Sequence, residues 1–179
     1  MLTEVKSYPI DDYKKVDLER TEDFDLILTL RGKRKDKPDQ MISLSAAQFM
    51  LVLSSKKIVD EALKSKKDLG RLEGIDLGED KWLNISTYNN TQFIHIRHWW
   101  VDGKGAIPDK KCGISFTAKD WNRFLVRAEA VQDEVESTQQ SAAVWRAESK
   151  KLKGLKRKAS ASSFLDDEAV VSPKKHWSE

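Results

Sequence analysis

Two hydrophobic periods alternate along this chain. Gln92–Trp100 has strong β character, with Ile94 and Ile96 on one side and Phe93, His95 and Arg97 on the other. That is the two-residue period of a half-buried strand. After Thr117 the period lengthens, and Trp121, Phe124, Leu125, Ala128, Val131 and Val135 fall on one helical face. Thr117 sits where a helix cap belongs, with its hydroxyl able to accept from the amide of Asp120 and the Asp120 charge in the first turn. Upstream, Ile75–Leu77 and Lys81–Tyr88 predict two more strands. Asn89-Asn90 between strands predicts a tight turn, because Asn tolerates positive φ. Val101–Asp109 contains two Gly and one Pro and reads as a long hairpin loop; Lys111–Phe116 closes the set as a short fourth strand. Residues 70–136 are therefore predicted as β-β-β-β-α, a curved antiparallel sheet with one helix on a face.

Residues 13–66 read as a worn copy of the same pattern. Ile42-Ser43-Leu44-Ser45-Ala46-Ala47-Gln48-Phe49 lines up with Ile114-Ser115-Phe116-Thr117-Ala118-Lys119-Asp120-Trp121. Both runs give Ile-Ser, an apolar residue, a hydroxyl cap, Ala, and an aromatic in the first helical turn, and Ser45 with Gln48 forms a capping box. Ile27–Arg31 parallels Phe93–Arg97, with Tyr13–Leu18 and Phe24–Leu30 as the preceding hairpin. No Trp follows Arg31, and the loop after it is short and basic (Lys33, Arg34, Lys35). The fold expected is α+β: two β-β-β-β-α copies, residues 1–66 and 70–136, joined by the charged linker Lys64–Gly70. One such sheet with one helix buries little surface. The copies are thus expected to pair internally as a pseudo-dimer, with a dimer of full chains as the alternative.

Charge refines this picture. The net charge is only +3, yet residues 137–179 carry nine Lys/Arg against five Asp/Glu, which leaves about −1 for residues 1–136. Any nucleic-acid surface on the folded part must be a local patch. The tail, residues 137–179, starts with a stretch able to extend or restart a helix. It continues into a basic cluster (Lys150, Lys151, Lys153, Lys156, Arg157, Lys158) and ends in a Ser-containing, largely disordered segment. The cluster suits a nuclear-import signal, a nonspecific nucleic-acid arm or a solvated charged stretch. Ser160, Ser163 and Ser172 stand in short kinase-like contexts, where phosphate would neutralise the arm. The lone Cys112 allows no internal disulfide and suits a reducing compartment, as a half-buried strand cysteine. No signal peptide and no membrane span are expected.

Few residues carry chemistry. There is no nucleophile–base pair, no Gly-rich phosphate loop and no metal-ligand spacing, since His95 and His98 lack a third ligand. Neither an enzyme nor a cofactor or metal site is expected. What stands out is Ile94-His95-Ile96-Arg97-His98-Trp99-Trp100, followed by Gly113-Ile114-Ser115 and Trp121. From about Ile75 to Val135 the chain resembles the single-stranded-DNA-binding domain of the positive cofactor 4 family of transcriptional coactivators. The resemblance implies nucleic-acid contacts at Lys81, at the hairpin aromatic Tyr88, at the strand-end Arg97 and at the stacking Trp100. It also implies a basic pair before Gly-Ile-Ser, which falls on Lys111 and Cys112, with Lys110 ahead of it. Asn89, Thr91, Ser86 and Glu79 stand where that family commonly has basic residues, so the aromatic platform is kept while the basic rail is thinned. In the first copy, Arg31, Lys33, Arg34 and Lys35 are the candidate phosphate contacts.

The function this implies is nuclear single-stranded-DNA binding in transcription, or in replication and repair. Its partners would be unwound strands, melted duplex or RNA, together with transcription or replication proteins, and no membrane. The alternatives are a protein-interaction adaptor that kept the fold and lost its DNA surface, and an RNA-binding protein.

Overall fold

The computed structural model describes residues 2–21, 25–35, 38–102 and 105–162. Eight strands, β1 (Leu2–Pro9), β2 (Lys14–Thr21), β3 (Leu26–Gly32), β4 (Gln40–Ser45), β5 (Ile75–Gly78), β6 (Lys81–Tyr88), β7 (Thr91–Asp102) and β8 (Gly105–Thr117), form one sheet in the order β1-β2-β3-β4-β8-β7-β6-β5. The helices are α1 (Ala46–Ser54), α2 (Lys56–Lys64) and α3 (Ala118–Ser162). The strand order is palindromic. Each half is an antiparallel meander whose last strand leads into helix, and the two last strands meet in parallel at Met41 and Cys112. Two β-β-β-β-α motifs are thus present in an α+β fold. Residues 1–138 form one compact body and residues 139–179 another.

The alternation read from the sequence is the alternation that is buried. Ile94 and Ile96 of β7, Leu83 and Ile85 of β6, and Ile114 and Phe116 of β8 face the core. The corresponding Leu28, Leu30, Val16, Ile42 and Leu44 do so in the first motif. On α3, Trp121, Phe124, Ala128, Val131 and Val135 are all fully buried. Burying side chains such as Phe124 and Val131 contributes roughly 1.5–3 kcal/mol each. Both helix starts carry the expected caps, and at Thr117 the cap is closed into a reciprocal box as at Ser45. Ser45 Oγ accepts from Gln48 N (3.2 Å) while Gln48 Oε1 accepts from Ser45 N (3.0 Å), and Thr117 and Asp120 repeat the exchange.

The motifs interlock through these caps. Asp120, third in α3, accepts from Lys14 Nζ at 3.0 Å, and Lys14 opens β2 of the first motif. Gln48, third in α1, accepts from Lys81 Nζ at 3.2 Å, and Lys81 opens β6 of the second. Lys14 pairs with Gly32, directly after Arg31, as Lys81 pairs with His98, directly after Arg97. The same contact is therefore made twice, in opposite directions. Phe49 of α1 and Phe124 of α3 meet edge to face at 6.1 Å between them.

Four features depart from the sequence reading. The expected loop 101–109 is a two-stranded ribbon, with Trp99 opposite Pro108, Trp100 opposite Ile107 and Val101 opposite Ala106, and a bulge between Arg97 and Trp99. Glycine and proline signal turns, but Pro108 lies beyond the single residue of β8 that pairs with β4, so its missing N–H breaks no ladder there. The fourth strand that the β-β-β-β-α pattern requires of the first motif is β1, at the sheet edge, in residues the sequence reading gave to no element. That motif's helix breaks into α1 and α2 at Ser55, whose Oγ returns to the Leu51 carbonyl at 2.6 Å and competes with continued helix. Finally, the linker is docked: Leu69 is buried and exchanges both backbone hydrogen bonds with Ile85.

The tail was expected to begin at 137. The backbone of α3 is helical to Ser162 and carries the basic cluster 150–158 and Ser160, whose side chains lie outside the described atoms. Ser163 and Ser172 lie outside the described residues. No helix among the described residues is long and apolar enough to cross a membrane.

Candidate nucleic-acid interface

On the sheet face away from its core, the second motif presents three short rows. Trp82, Arg97 and Gly113 are neighbours across β6, β7 and β8; Asn84, His95 and Ser115 form the next row; Ser86, Phe93 and Thr117 the third. Arg97 lies flat over Gly113. A Cβ there would stand 2.9 Å from Arg97 Cγ, so the glycine is what lets the arginine cross β8. The guanidinium reaches only a distant Ser115 hydroxyl (3.5 Å), and its Nε is buried without a partner. Among the described residues no carboxylate pairs with it. Burial lowers its pKa first, the nearby positive charge of Arg34 lowers it further, and Asp109 partly offsets them.

His95 is clamped between hydroxyls, Nε2 to Ser86 Oγ and Nδ1 to Ser115 Oγ, each 2.8 Å. Burial, helped by Arg97, pushes its pKa down to about 4. The imidazole is thus a neutral spacer in the middle row and adds no charge beside Arg97. Among the described residues no group of three potential metal ligands is present.

Trp100 sits on the ribbon and is 61% exposed. Its Nε1–H donates to Asp109 Oδ2 at 3.1 Å, and the His98 ring meets it edge-on at 4.8 Å. The other Asp109 oxygen accepts from the amides of Lys111 (2.8 Å) and Cys112 (3.3 Å). Those bonds, led by Lys111 N, hold the Asp109 carboxyl below its usual value. Asp109 thus fixes both the base of the ribbon and the orientation of the exposed indole. Sequence reasoning missed this residue, although an acceptor two positions before Lys111 has the spacing of an Asx turn. Burial, with Asp109, pushes the half-buried Cys112 thiol up, which makes it a poor nucleophile.

The other expected residues are scattered. Lys111 is exposed on β8 beside Trp100's ribbon. Lys110 has its backbone in β8, while its side chain lies outside the described atoms. Tyr88 is 70% exposed at the Asn89-Asn90 turn, at the opposite end of β7 from Trp100. Nine residues of strand separate Trp100 from Thr91, the partner of Tyr88, or about 30 Å at roughly 3.3 Å each. The two rings therefore cannot share a base. Lys81 is mostly buried and engaged, with Glu79 Oε2 at 2.8 Å and Gln48 Oε1 at 3.2 Å.

In the first motif, Arg31 Nε donates to Asp17 Oδ2 at 2.7 Å and Nη2 lies 3.5 Å from Glu19. Lys33, Arg34 and Lys35 are exposed. Because β4 and β8 run parallel, this basic loop and the Trp100 ribbon project from the same end of the sheet.

Residues 75–126 match the sequence model of the family described as transcriptional coactivator p15 (PC4). The second motif is similar to a PC4-family domain. The match runs from β5 into the first turns of α3 and includes Lys81, Tyr88, Arg97, Trp100 and Lys111; the first motif lies outside it. No solved structure matches the chain. PC4 is a family of DNA-binding transcriptional coactivators rather than of enzymes, and the matched stretch carries the unpartnered arginine and the exposed tryptophan.

Proposed function

We propose that the protein binds single-stranded DNA as a nuclear transcriptional coactivator, using the outer face and ribbon of its PC4-like domain. Trp100 stacks on a base, Arg97 and Arg34 flank a phosphate, and Lys111 and Tyr88 extend the track. The observation that carries this reading is Arg97. It is a half-buried guanidinium without a carboxylate, surrounded by uncharged Asn84, His95 and Ser115, and made less stable as a cation by a second arginine nearby. An anion between the two removes that repulsion. The neighbouring indole supplies a stacking face, worth about 1–3 kcal/mol per base.

The two motifs are also proposed to be tandem copies forming an internal pseudo-dimer. The reciprocal Lys14–Asp120 and Lys81–Gln48 contacts support this, because equivalent positions make them. Light scattering should then give a particle near 20.5 kDa, and one of about twice that mass would point to a dimer of chains. The basic stretch 150–158 serves as a nonspecific arm or import signal.

Titrating the chain with labelled oligo-dT, duplex DNA and single-stranded RNA at two salt concentrations tests the function. Oligo-dT should bind best, and Trp100→Ala should weaken it about tenfold. Equal affinity for duplex would sink the stacking mechanism, equal affinity for RNA would make it a general single-strand binder, and no binding would favour the adaptor. The adaptor gains some support from Lys81, whose charge is already taken by Glu79.

A further inference from the structure

A groove of about 390 Å³ opens at the turn end of the first motif, between the β1–β2 turn, the end of β3 and the start of β4. The fold builds it firmly. Asp11 Oδ1 accepts from the amides of Tyr13 and Lys14, each at 2.7 Å, and Lys33 N donates to the Tyr13 carbonyl at 2.7 Å. Tyr13 is thereby held beside the basic loop with its ring 65% exposed, and Met41, 46% exposed, also lines the groove. The volume suits a small ligand of about nucleotide size.

The charges around the groove are not equivalent. Lys14 is taken by Asp120 and Asp11, and Lys15 and Arg31 by Asp17. Lys33 is the lining cation with no ion pair among the described residues, and Arg34 and Lys35 follow it directly. Asp11, Asp12 and Asp39 also line the groove; Asp11 is already engaged by the turn amides and by Lys14, and Lys33 is the lining cation left to meet an anionic group. Arg34 meanwhile acts electrostatically on Arg97. One step along this loop therefore leads from the PC4-like site to the groove.

We propose that this groove is a second nucleotide-binding pocket, in which Tyr13 stacks on a base and Lys33 meets its phosphate. The nucleotide belongs to the same single strand that lies over Trp100 and Arg97. This rests on the reading above and adds to it: the first motif, which lacks the tryptophans, supplies its stacking ring from a different turn.

The test compares the full chain with Tyr13→Ala, Tyr13→Phe and Trp100→Ala on a short oligo-dT of about six nucleotides and a long one of about twenty. In the parent, affinity rises with length as the second pocket fills. Tyr13→Ala should shrink that rise about tenfold, and Tyr13→Phe should restore it. Trp100→Ala should weaken both lengths. Because the Tyr13 ring is exposed, thermal melting of the variants should match the parent. If Tyr13→Ala keeps the full rise while Trp100→Ala binds weakly, the pocket is refuted and the PC4-like site stands. If neither variant differs from the parent, both fall. Photocrosslinking with 5-iodouracil in the long oligonucleotide should mark Tyr13, and crosslinks confined to residues 91–117 would overturn the pocket.

Discussion

The two motifs share a fold and differ most on their outer faces. In the second, Arg97 is bordered by Trp82, Asn84, His95 and Ser115, none of them acidic. In the first, the corresponding row positions hold Lys15, Asp17, Thr29 and Ser43 around Arg31. Asp17 takes Arg31 at 2.7 Å and Lys15 at 2.9 Å and also accepts from Ser7. Burial alone would raise the Asp17 carboxyl, but hydrogen bonds from Ser7, Lys15 and Arg31 outweigh it and hold it low. The first face has thus answered its own arginine with a carboxylate, and the second has left the answer to a ligand. A binding surface and a structural surface differ here by one or two charges on the same lattice of strands.

The middle row gives the largest expected difference. His95 has a folded pKa of about 4, below its ordinary 6.5, whereas the first motif has Thr29 at this position, sharing a hydrogen bond with Ser43. As pH falls from 6.5 to 4 the unfolded chain binds a proton that the native imidazole refuses. Stability is therefore fully present above about pH 6.5 and lost across that window, by about 3 kcal/mol. Denaturant titrations at successive pH values should show this loss in the parent and a flatter profile in His95→Thr. An unchanged slope would mean that another group governs the window.

Exchanging the key charge tests the comparison directly. Asn84 pairs with His95 as Asp17 pairs with Thr29, so Asn84→Asp places a carboxylate beside Arg97 as the first motif does beside Arg31. Oligo-dT affinity should fall about tenfold, or about 1.4 kcal/mol, and its salt dependence should flatten by about 0.7 per lost phosphate contact. The reverse change, Asp17→Asn, should cost about 2 kcal/mol of stability, since charged hydrogen bonds are lost, without weakening oligo-dT. If Asn84→Asp binds like the parent, Arg97 does not meet phosphate.

Much of this was legible in the chain. The strand alternation around Ile94 and Ile96, the helical face from Trp121 to Val135, and both helix caps are local patterns, and local patterns survive folding. The match between Ile42–Phe49 and Ile114–Trp121 pointed to two motifs for the same reason. What escaped depends on distant pairing. Gly103, Gly105 and Pro108 carry turn chemistry, yet the ladder from Trp99 to Asp102 turned their neighbourhood into a ribbon. Asp109's grip on Trp100 and the opposite-end position of Tyr88 both follow from register, which composition does not reveal. Lys81 is the clearest case. The family resemblance implied a phosphate contact there, while its partner Gln48 comes from the other motif.

That residue also gives the finest test. Lys14 and Lys81 are equivalent clamps, each with a second partner in its own motif: Asp11 at 3.8 Å for Lys14 and, closer at 2.8 Å, the exposed Glu79 for Lys81, whose carboxyl is held low chiefly by the Lys81 hydrogen bond. Glu79→Gln removes that competitor and keeps the shape of the turn. If Lys81 can serve the nucleic acid, oligo-dT affinity should rise about two- to threefold and the salt slope should steepen by about 0.7, the increment of one added phosphate contact. Gln48 still holds the ammonium at 3.2 Å, which is why the gain stays small. An unchanged slope would make Lys81 a clamp like Lys14, and the DNA track would then run through Arg97, Arg34 and Lys111 without it.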